Sequence, residues 1–288
     1  FKVFRPYRRQ LKVSIFGSAR TKLDDPSYEM TKRFAEAIVE KGWMVITGAG
    51  PGIMQAGIEG AGTAQSFGVS IRLPFESVAT PFIANDPKLV NFKYFFTRKL
   101  MFVKESHAIV LLPGGFGTMD ECFESLTLVQ TGKSHPVPFV LLEPPGSNYW
   151  TRWIEFVNKE LVSRNLISPA DLNLFAHCSN IEEAVDEVTR FYRNYHSMRY
   201  VRDDLVLRVR YEPTPELLQA LNDEFSDILA EGEFYATDVI DLPRIVCRFD
   251  RYKFGRLRLA LDVINRLGGQ HETRKHDPPL PQDPMPEE

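Results

Sequence analysis

Apolar and polar positions along this chain follow two alternating rhythms. Short β-branched or apolar runs predict strands at 11–16, 43–47, 68–73, 108–112, 138–142 and 174–176. Between them, helical periodicity predicts helices at 26–41, 53–65, 95–105, 118–131, 149–164 and 181–195. Strands alternating with helices of this length imply βαβ units and a buried parallel sheet, the doubly wound α/β architecture. In the 118–131 segment, Met119, Cys122, Phe123, Leu126 and Val129 recur at helical spacing and predict one core-facing stripe, with Gly132 as its C-cap.

The rhythm lapses between Pro74 and Lys93, a Pro-punctuated stretch longer than most connections and of the kind that is functional or mobile. It changes again after Tyr200. Residues 204–210 alternate like a strand, 214–230 are helical with Pro215 in the first turn, 234–237 and 244–249 read as strands, and 253–266 as a last helix. The expected organisation is a nucleotide-binding domain over 1–199, a small α+β appendage over 200–269, and a disordered Pro-rich tail over 270–288.

Composition narrows the class. The chain has 288 residues, 43% hydrophobic and 25% charged, which suits a soluble globular protein. A net charge of −3 gives no reason to expect a nucleic-acid partner. Cys122, Cys178 and Cys247 lie far apart, fit no metal-ligand spacing and suit a reducing compartment. The histidines form no metal pattern, no apolar run approaches a membrane span, and no secretory signal is recognised. The expectation is a cytoplasmic protein with a small-molecule ligand, no membrane contact and neither metal nor cofactor.

Candidate chemistry gathers where predicted strands end. Gly17 and Ser18 follow the first strand. Gly48, Gly50 and Gly52 follow the second and lead into Met54. The run Pro113-Gly114-Gly115-Phe116-Gly117-Thr118 follows the fourth and enters a helix. Glycines let a ligand approach the main chain, and a helix N-terminus attracts phosphate. The spacing is neither GxGxxG with a distant acid nor GxxxxGK[ST], so a mononucleotide fits better than a dinucleotide or a P-loop ligand. Glu121, in the first turn after the glycines, is the candidate catalytic carboxylate. Asp120 is accounted for as an acid near a helix start, and Glu124, one turn after Glu121, is expected on the same face. Arg98 and Lys99 lie in a strongly apolar segment, where a cation needs an anion: bound phosphate or Glu121 are the expected partners.

These residues resemble the LONELY GUY (LOG) family of nucleoside 5′-monophosphate phosphoribohydrolases, long misnamed lysine decarboxylases. The family hallmark PGGxGTxxE is matched from Pro113 to Glu121, and its Arg-Lys pair with a following Met by Arg98, Lys99 and Met101. Its TGGGxGxM turn appears from Thr47 to Met54, with Ala49 at one glycine position and Gln55 where many members carry Glu. The resemblance covers about residues 10–195 and leaves out the appendage.

It implies a Rossmann-like sheet and hydrolysis of the N-glycosidic bond of AMP or a cytokinin riboside 5′-monophosphate. Glu121 and Arg98 would be catalytic. Gly114, Gly115, Phe116, Gly117, Thr118, Gly17, Ser18, Gly48, Gly50, Gly52, Met54 and Lys99 would bind the substrate. It further implies a homodimer or higher homo-oligomer. The alternative is a carrier of a nucleotide or phosphorylated cofactor, like the molybdenum-cofactor carriers, which use similar glycine turns without cleavage. A pyridoxal-phosphate decarboxylase is disfavoured, because no Schiff-base lysine context surrounds Lys99, Lys104 or Lys133.

Overall fold

The computed structural model describes residues 2–71, 80–237 and 242–268. The expected tail lies outside the described residues, as does part of the 74–93 stretch. By its internal contacts the chain divides into two units. One comprises Phe1–Leu126, Val137–Leu166 and Phe175–Val188; the other comprises Thr127–Pro136, Ile167–Leu174 and Thr189–Glu288.

The first unit is built on a seven-stranded sheet, every described pairing of which is parallel. Its strands are β1 (Lys12–Phe16), β2 (Met44–Thr47), β3 (Ser66–Ile71), β4 (Leu89–Phe92), β5 (Ala108–Leu111), β6 (Phe139–Leu142) and β7 (Ala176–Cys178). They lie in the order β4-β3-β2-β1-β5-β6-β7, a Rossmann-like doubly wound sheet flanked by helices. β1, β2, β5 and β6 are buried at every position, as central parallel strands covered on both faces must be.

The helices are α1 (Pro26–Glu40), α2 (Ile53–Ala61), α3 (Phe95–Glu105), α4 (Phe116–Gln130), α5 (Tyr149–Phe156) and α6 (Ile181–Arg190). Asp25 caps α1 by accepting from the Ser27 N–H at 2.7 Å, with Pro26 preorganised behind it.

The second unit carries an antiparallel sheet of β8 (Tyr195–Val201), β9 (Asp204–Val209), β10 (Leu229–Thr237) and β11 (Arg244–Phe249), in the order β10-β11-β9-β8. Two helices complete it, α7 (Pro215–Phe225) and α8 (Phe254–Leu267). Leu205, Leu207, Ile245, Cys247 and Phe249, which point to one face of this sheet, are buried, as are Leu217, Leu221, Leu257 and Leu261 of the helices.

Several elements differ from the sequence expectation. α7 ends at Phe225, and β10 already begins at Leu229, inside the expected 214–230 helix. β4 falls inside the 74–93 stretch: it is a short, half-exposed edge strand with no apolar run to announce it. β8 starts where the 181–195 helix was expected to end, because α6 stops at Arg190 and a strand rich in polar residues follows. The seventh strand begins at Ala176, and Pro169–Leu174 forms a 3₁₀ helix instead. α5 gives way at Val157–Val162 to a π-helical turn.

Candidate functional site

β1 and β5 lie side by side at the centre of the sheet, and strand order runs outward from them in opposite directions. Their carboxyl ends therefore open on a topological switch point, where doubly wound sheets bind ligands. All three glycine turns meet there. The Ser18 N–H donates to the Pro113 carbonyl at 3.2 Å, and the Ser18 carbonyl accepts from the Ile53 N–H at 3.1 Å. Gly52 has φ +65° and faces the Ser18 carbonyl oxygen so closely that any Cβ would collide with it. Glycine alone lets these turns join.

α3 lays Arg98 over the second turn. A Cβ on Gly48 would stand 2.6 Å from Arg98 Nη2 and 2.6 Å from Met54 Sδ, so the missing side chain is the space these two groups occupy. Arg98 Nε donates to the Val69 carbonyl at 3.0 Å, and its guanidinium carbon sits 5.4 Å from the Phe102 ring centroid. Burial draws this guanidinium below its usual range, while the charge of Glu121 opposes that shift. Gly17 packs against Ile53, and Gly50 against Met54. Ala49, at the family's glycine position, holds φ +57° and is buried in a small cluster with Ile58 and Ile83.

The third turn opens into α4. Gly115 and Gly117 have free space where a Cβ would stand, and Phe116 is 98% exposed. The first N–H groups of a helix have no intrahelical partners, so this end presents donors and positive dipole to the open side. Thr118 is buried, with its hydroxyl against Gly114. Glu121, one turn in, is also buried. Burial raises its carboxyl to about 7; Lys99 and Arg98 pull it down, and Asp120 and Glu124 push it further up.

One expectation is corrected here and one set of partners is added. Lys99 meets two carboxylates that the sequence reading did not name as its partners. Its ammonium sits 2.8 Å from Asp120 Oδ1 and 2.6 Å from Glu124 Oε2. Burial would lower its pKa, yet those two acids hold it above the usual lysine range. The inward stripe of α4 is also rotated from the expected one. Thr118, Glu121, Cys122, Ser125 and Val129 face in, whereas Phe123 is 41% exposed.

Sequence reading missed a bracket behind the third turn. Tyr149, first residue of α5, donates its hydroxyl to the Gly114 carbonyl at 2.5 Å. Glu143, just past β6, is 2% exposed and organises the start of α5. It accepts from Ser147 Oγ at 2.6 Å and from the Trp150 N–H at 3.1 Å, and its Oε1 lies 2.8 Å from His177 Nε2. Burial alone would raise this carboxyl, but those donors hold it below the usual carboxylate range. The available signal was an acid directly after a predicted strand and six residues before a Tyr-Trp pair. Beside the bracket, Met119, Gly146, Asn148, Tyr149, Arg152 and Trp153 line a cavity of about 580 Å³.

The Tyr28 hydroxyl donates to Glu59 Oε2 at 2.8 Å, with the Gln55 side chain nearby. Among the described residues, no cluster of three or more His, Cys, Asp or Glu is placed to hold a metal ion, and no helix is long and apolar enough to cross a membrane.

The family model described as "Possible lysine decarboxylase" matches residues 46–188, which hold the second and third glycine turns, Arg98, Lys99 and Glu121. The chain belongs to this family. Among its relatives is the cytokinin riboside 5′-monophosphate phosphoribohydrolase LOG7 of Arabidopsis thaliana, 30% identical over 43% of this chain and 55% of that protein. The family member named cytokinin riboside 5′-monophosphate phosphoribohydrolase in Mycobacterium tuberculosis is 25% identical over 54% of this chain and 82% of its own length. The chain spans about half the length of the plant relatives it matches. A solved structure of the molybdenum cofactor carrier protein of Chlamydomonas reinhardtii is 19% identical, covers 63% of this chain and 98% of that one, and has a TM-score of 0.45.

Proposed function

We propose that this LOG-family chain hydrolyses the N-glycosidic bond of a nucleoside 5′-monophosphate, AMP or a cytokinin riboside 5′-monophosphate, giving free base and ribose 5-phosphate. The observation that carries this reading is a buried carboxyl, Glu121, raised to about 7 one turn inside a helix whose exposed start is a glycine turn at the sheet's switch point. The 5′-phosphate takes the backbone N–H groups of Gly115, Phe116, Gly117 and Thr118. As the bond from C1′ to the base nitrogen breaks, its electron pair leaves with the base and the ribose gains oxocarbenium character. Ionised Glu121 faces that charge and takes a proton from the water that attacks C1′, while the departing base takes up a proton from solvent, so that Glu121 is regenerated by losing its proton to solvent. Arg98, fixed over Gly48 and Met54, supplies the opposing positive charge. Lys99, locked to Asp120 and Glu124, fixes the α3 face against α4.

We further propose that the chain works as a homo-oligomer. Phe95, Phe96 and Leu100 of α3 are 54%, 70% and 50% exposed, and an aromatic stripe of that kind favours burial against a second copy.

The test is chromatographic detection of free base and ribose 5-phosphate after incubation with AMP, GMP, CMP, UMP and a cytokinin riboside monophosphate, beside Glu121→Gln. Release that disappears in the variant supports the hydrolase. Binding without turnover of any of the five would overturn it in favour of a carrier.

A further inference from the structure

The cavity of about 580 Å³ between the start of α4 and the start of α5 lies wholly within the first unit. Small-molecule sites span about 300–1,000 Å³, so its size suits a ligand of one or two rings. Met119 forms the α4 wall. Two residues turn a helix by about 200°, so Met119 and Glu121 leave α4 on nearly opposite flanks. The cavity is therefore separate from the Arg98–Glu121 side of the helix, and the proposed reaction makes no use of it.

The α5 wall is aromatic and held in place. The Trp153 ring is braced by Trp150, Phe175 and Phe123, at 5.9, 5.4 and 5.8 Å between centroids. The Tyr149 ring meets Trp150 at 4.9 Å, and its hydroxyl is committed to the Gly114 carbonyl. The polar side chains of this wall, by contrast, lack partners. Asn148 is the N-cap residue of α5, yet its side chain makes no capping bond. Ser147 and Glu143 already take the N–H groups of Tyr149, Trp150 and Thr151. Arg152 is exposed, lies four residues after Asn148 on the same face, and among the described residues its guanidinium has neither hydrogen bond nor ion pair. Trp153 is 9% exposed, and its indole N–H is buried without an acceptor. A buried donor of that kind calls for an explanation.

We propose that this cavity binds a planar aromatic ring that carries a carboxylate. The Arg152 fork takes the carboxylate through paired hydrogen bonds, and the Asn148 amide donates to the same group. The ring lies against Tyr149, Trp153 and the Met119 sulfur, contacts that favour a flat π-system over a bulky aliphatic one. An oxygen at the ring edge supplies the acceptor that the Trp153 N–H lacks. Phosphate is the poorer fit. The first N–H groups of α5 are already taken, so they offer no cradle of the kind the third glycine turn offers. Glu143, ionised at the start of α5, also opposes a second negative charge on the ligand.

Calorimetric titration of the full chain with 2-naphthoate tests this, beside its uncharged analogue 2-naphthamide, its non-planar analogue decahydro-2-naphthoate, and adenine. Naphthoate is expected to bind saturably and at least tenfold more tightly than any of the other three. Arg152→Gln, a change at an exposed helical position, is expected to melt as the parent does and to weaken naphthoate at least tenfold, to the level of the amide. Saturating AMP is expected to leave naphthoate binding within about threefold, because the phosphate turn and the cavity lie on different sides of α4. Absence of naphthoate binding, binding indifferent to Arg152→Gln or to loss of the flat ring, tighter binding of adenine, or displacement by AMP would each overturn the proposal. None of these titrations needs turnover, so failure here and failure of the hydrolase reading are separable.

Discussion

The hydroxyl of Tyr149 reaches the carbonyl of Gly114 at 2.5 Å, so the first residue of α5 holds the main chain at the mouth of the third glycine turn. The peptide between Gly114 and Gly115 carries that carbonyl on one side and, on the other, the first N–H offered to a bound phosphate. Fixing the oxygen fixes the donor. Tyr149→Phe removes the bond and leaves the ring packed against Trp150. Stability should fall by about 1 kcal/mol, the worth of one neutral hydrogen bond. If the turn binds the substrate phosphate, KM should rise about fivefold with kcat changed less than twofold. Steady-state kinetics beside a thermal melt checks both, and an unchanged KM would detach Tyr149 from the turn's function.

Glu121 couples stability and activity to pH in opposite senses. Its folded pKa of about 7 lies above the ordinary carboxylate value, so between about pH 4.5 and 7 the folded state holds a proton that the unfolded chain has released. Stability contributed by this group is present below that window and lost as pH rises through it, by about 3 kcal/mol in all. The proposed chemistry needs the ionised form, so kcat/KM should rise with an acid limb near pH 7. Glu121→Gln should abolish base release and make the protein more stable than the parent at pH 8. Melts at pH 5 and pH 8 on both proteins measure this, and a variant less stable than the parent at pH 8 would contradict it.

Much of the first unit was legible because central parallel strands are buried on both faces: β1, β2, β5 and β6 each stand out as a largely apolar run that leads into a glycine or proline turn. Residues 95–105 and 244–249 match α3 and β11 residue for residue. What escaped has a common physical cause. β4 and β8 are edge strands, and an edge strand need not be apolar on both faces. The α4 stripe was misread because hydrophobicity was taken to mark the inward face, whereas this helix buries Thr118, Glu121 and Ser125 and exposes Phe123. Of the candidate site, the sequence motifs marked Arg98, Glu121 and the turns that meet around them. The Lys99 pairs and the Glu143–Tyr149 bracket depend on tertiary approach between elements, which spacing along the chain does not report.

Gly48 tests how tightly the Arg98 position is set. The guanidinium and the Met54 sulfur both fill the room where a Cβ would stand, and Arg98 is also tied to the Val69 carbonyl. Gly48→Ala therefore forces one of them aside, at about 1–3 kcal/mol for an overpacked site. If Arg98 acts in catalysis, kcat/KM should drop by about a hundredfold, with most of the loss in kcat. Gly115→Ala, where the added methyl meets open space, should leave the melting temperature within about 2 °C of the parent. Comparing melts and kinetics of the two variants separates a packed glycine from an exposed one, and equal effects on both would refute the assignment.

Glu143 makes the opposite pH prediction from Glu121. Its donors from Ser147, Trp150, Thr151 and His177 favour the ionised form and hold its folded pKa below that of the unfolded chain. The stability it contributes is fully present above the unfolded value, near pH 4.5, and is lost as pH falls through the lower folded value. Glu143→Gln keeps the shape but loses the charge that the α5 N-terminus and its donors favour, and charge-assisted bonds of this kind are worth about 1.5–3 kcal/mol each against neutral ones at 0.5–1.5. The variant should be roughly 2 kcal/mol less stable than the parent at pH 7, and the gap should narrow as pH falls below about 4. Because the same acid sets the start of α5, the KM increase from Glu143→Gln and that from Tyr149→Phe should combine to less than the product of the two. A double-mutant cycle in KM measures that coupling, and full additivity would show that Glu143 and Tyr149 act on the glycine turn independently.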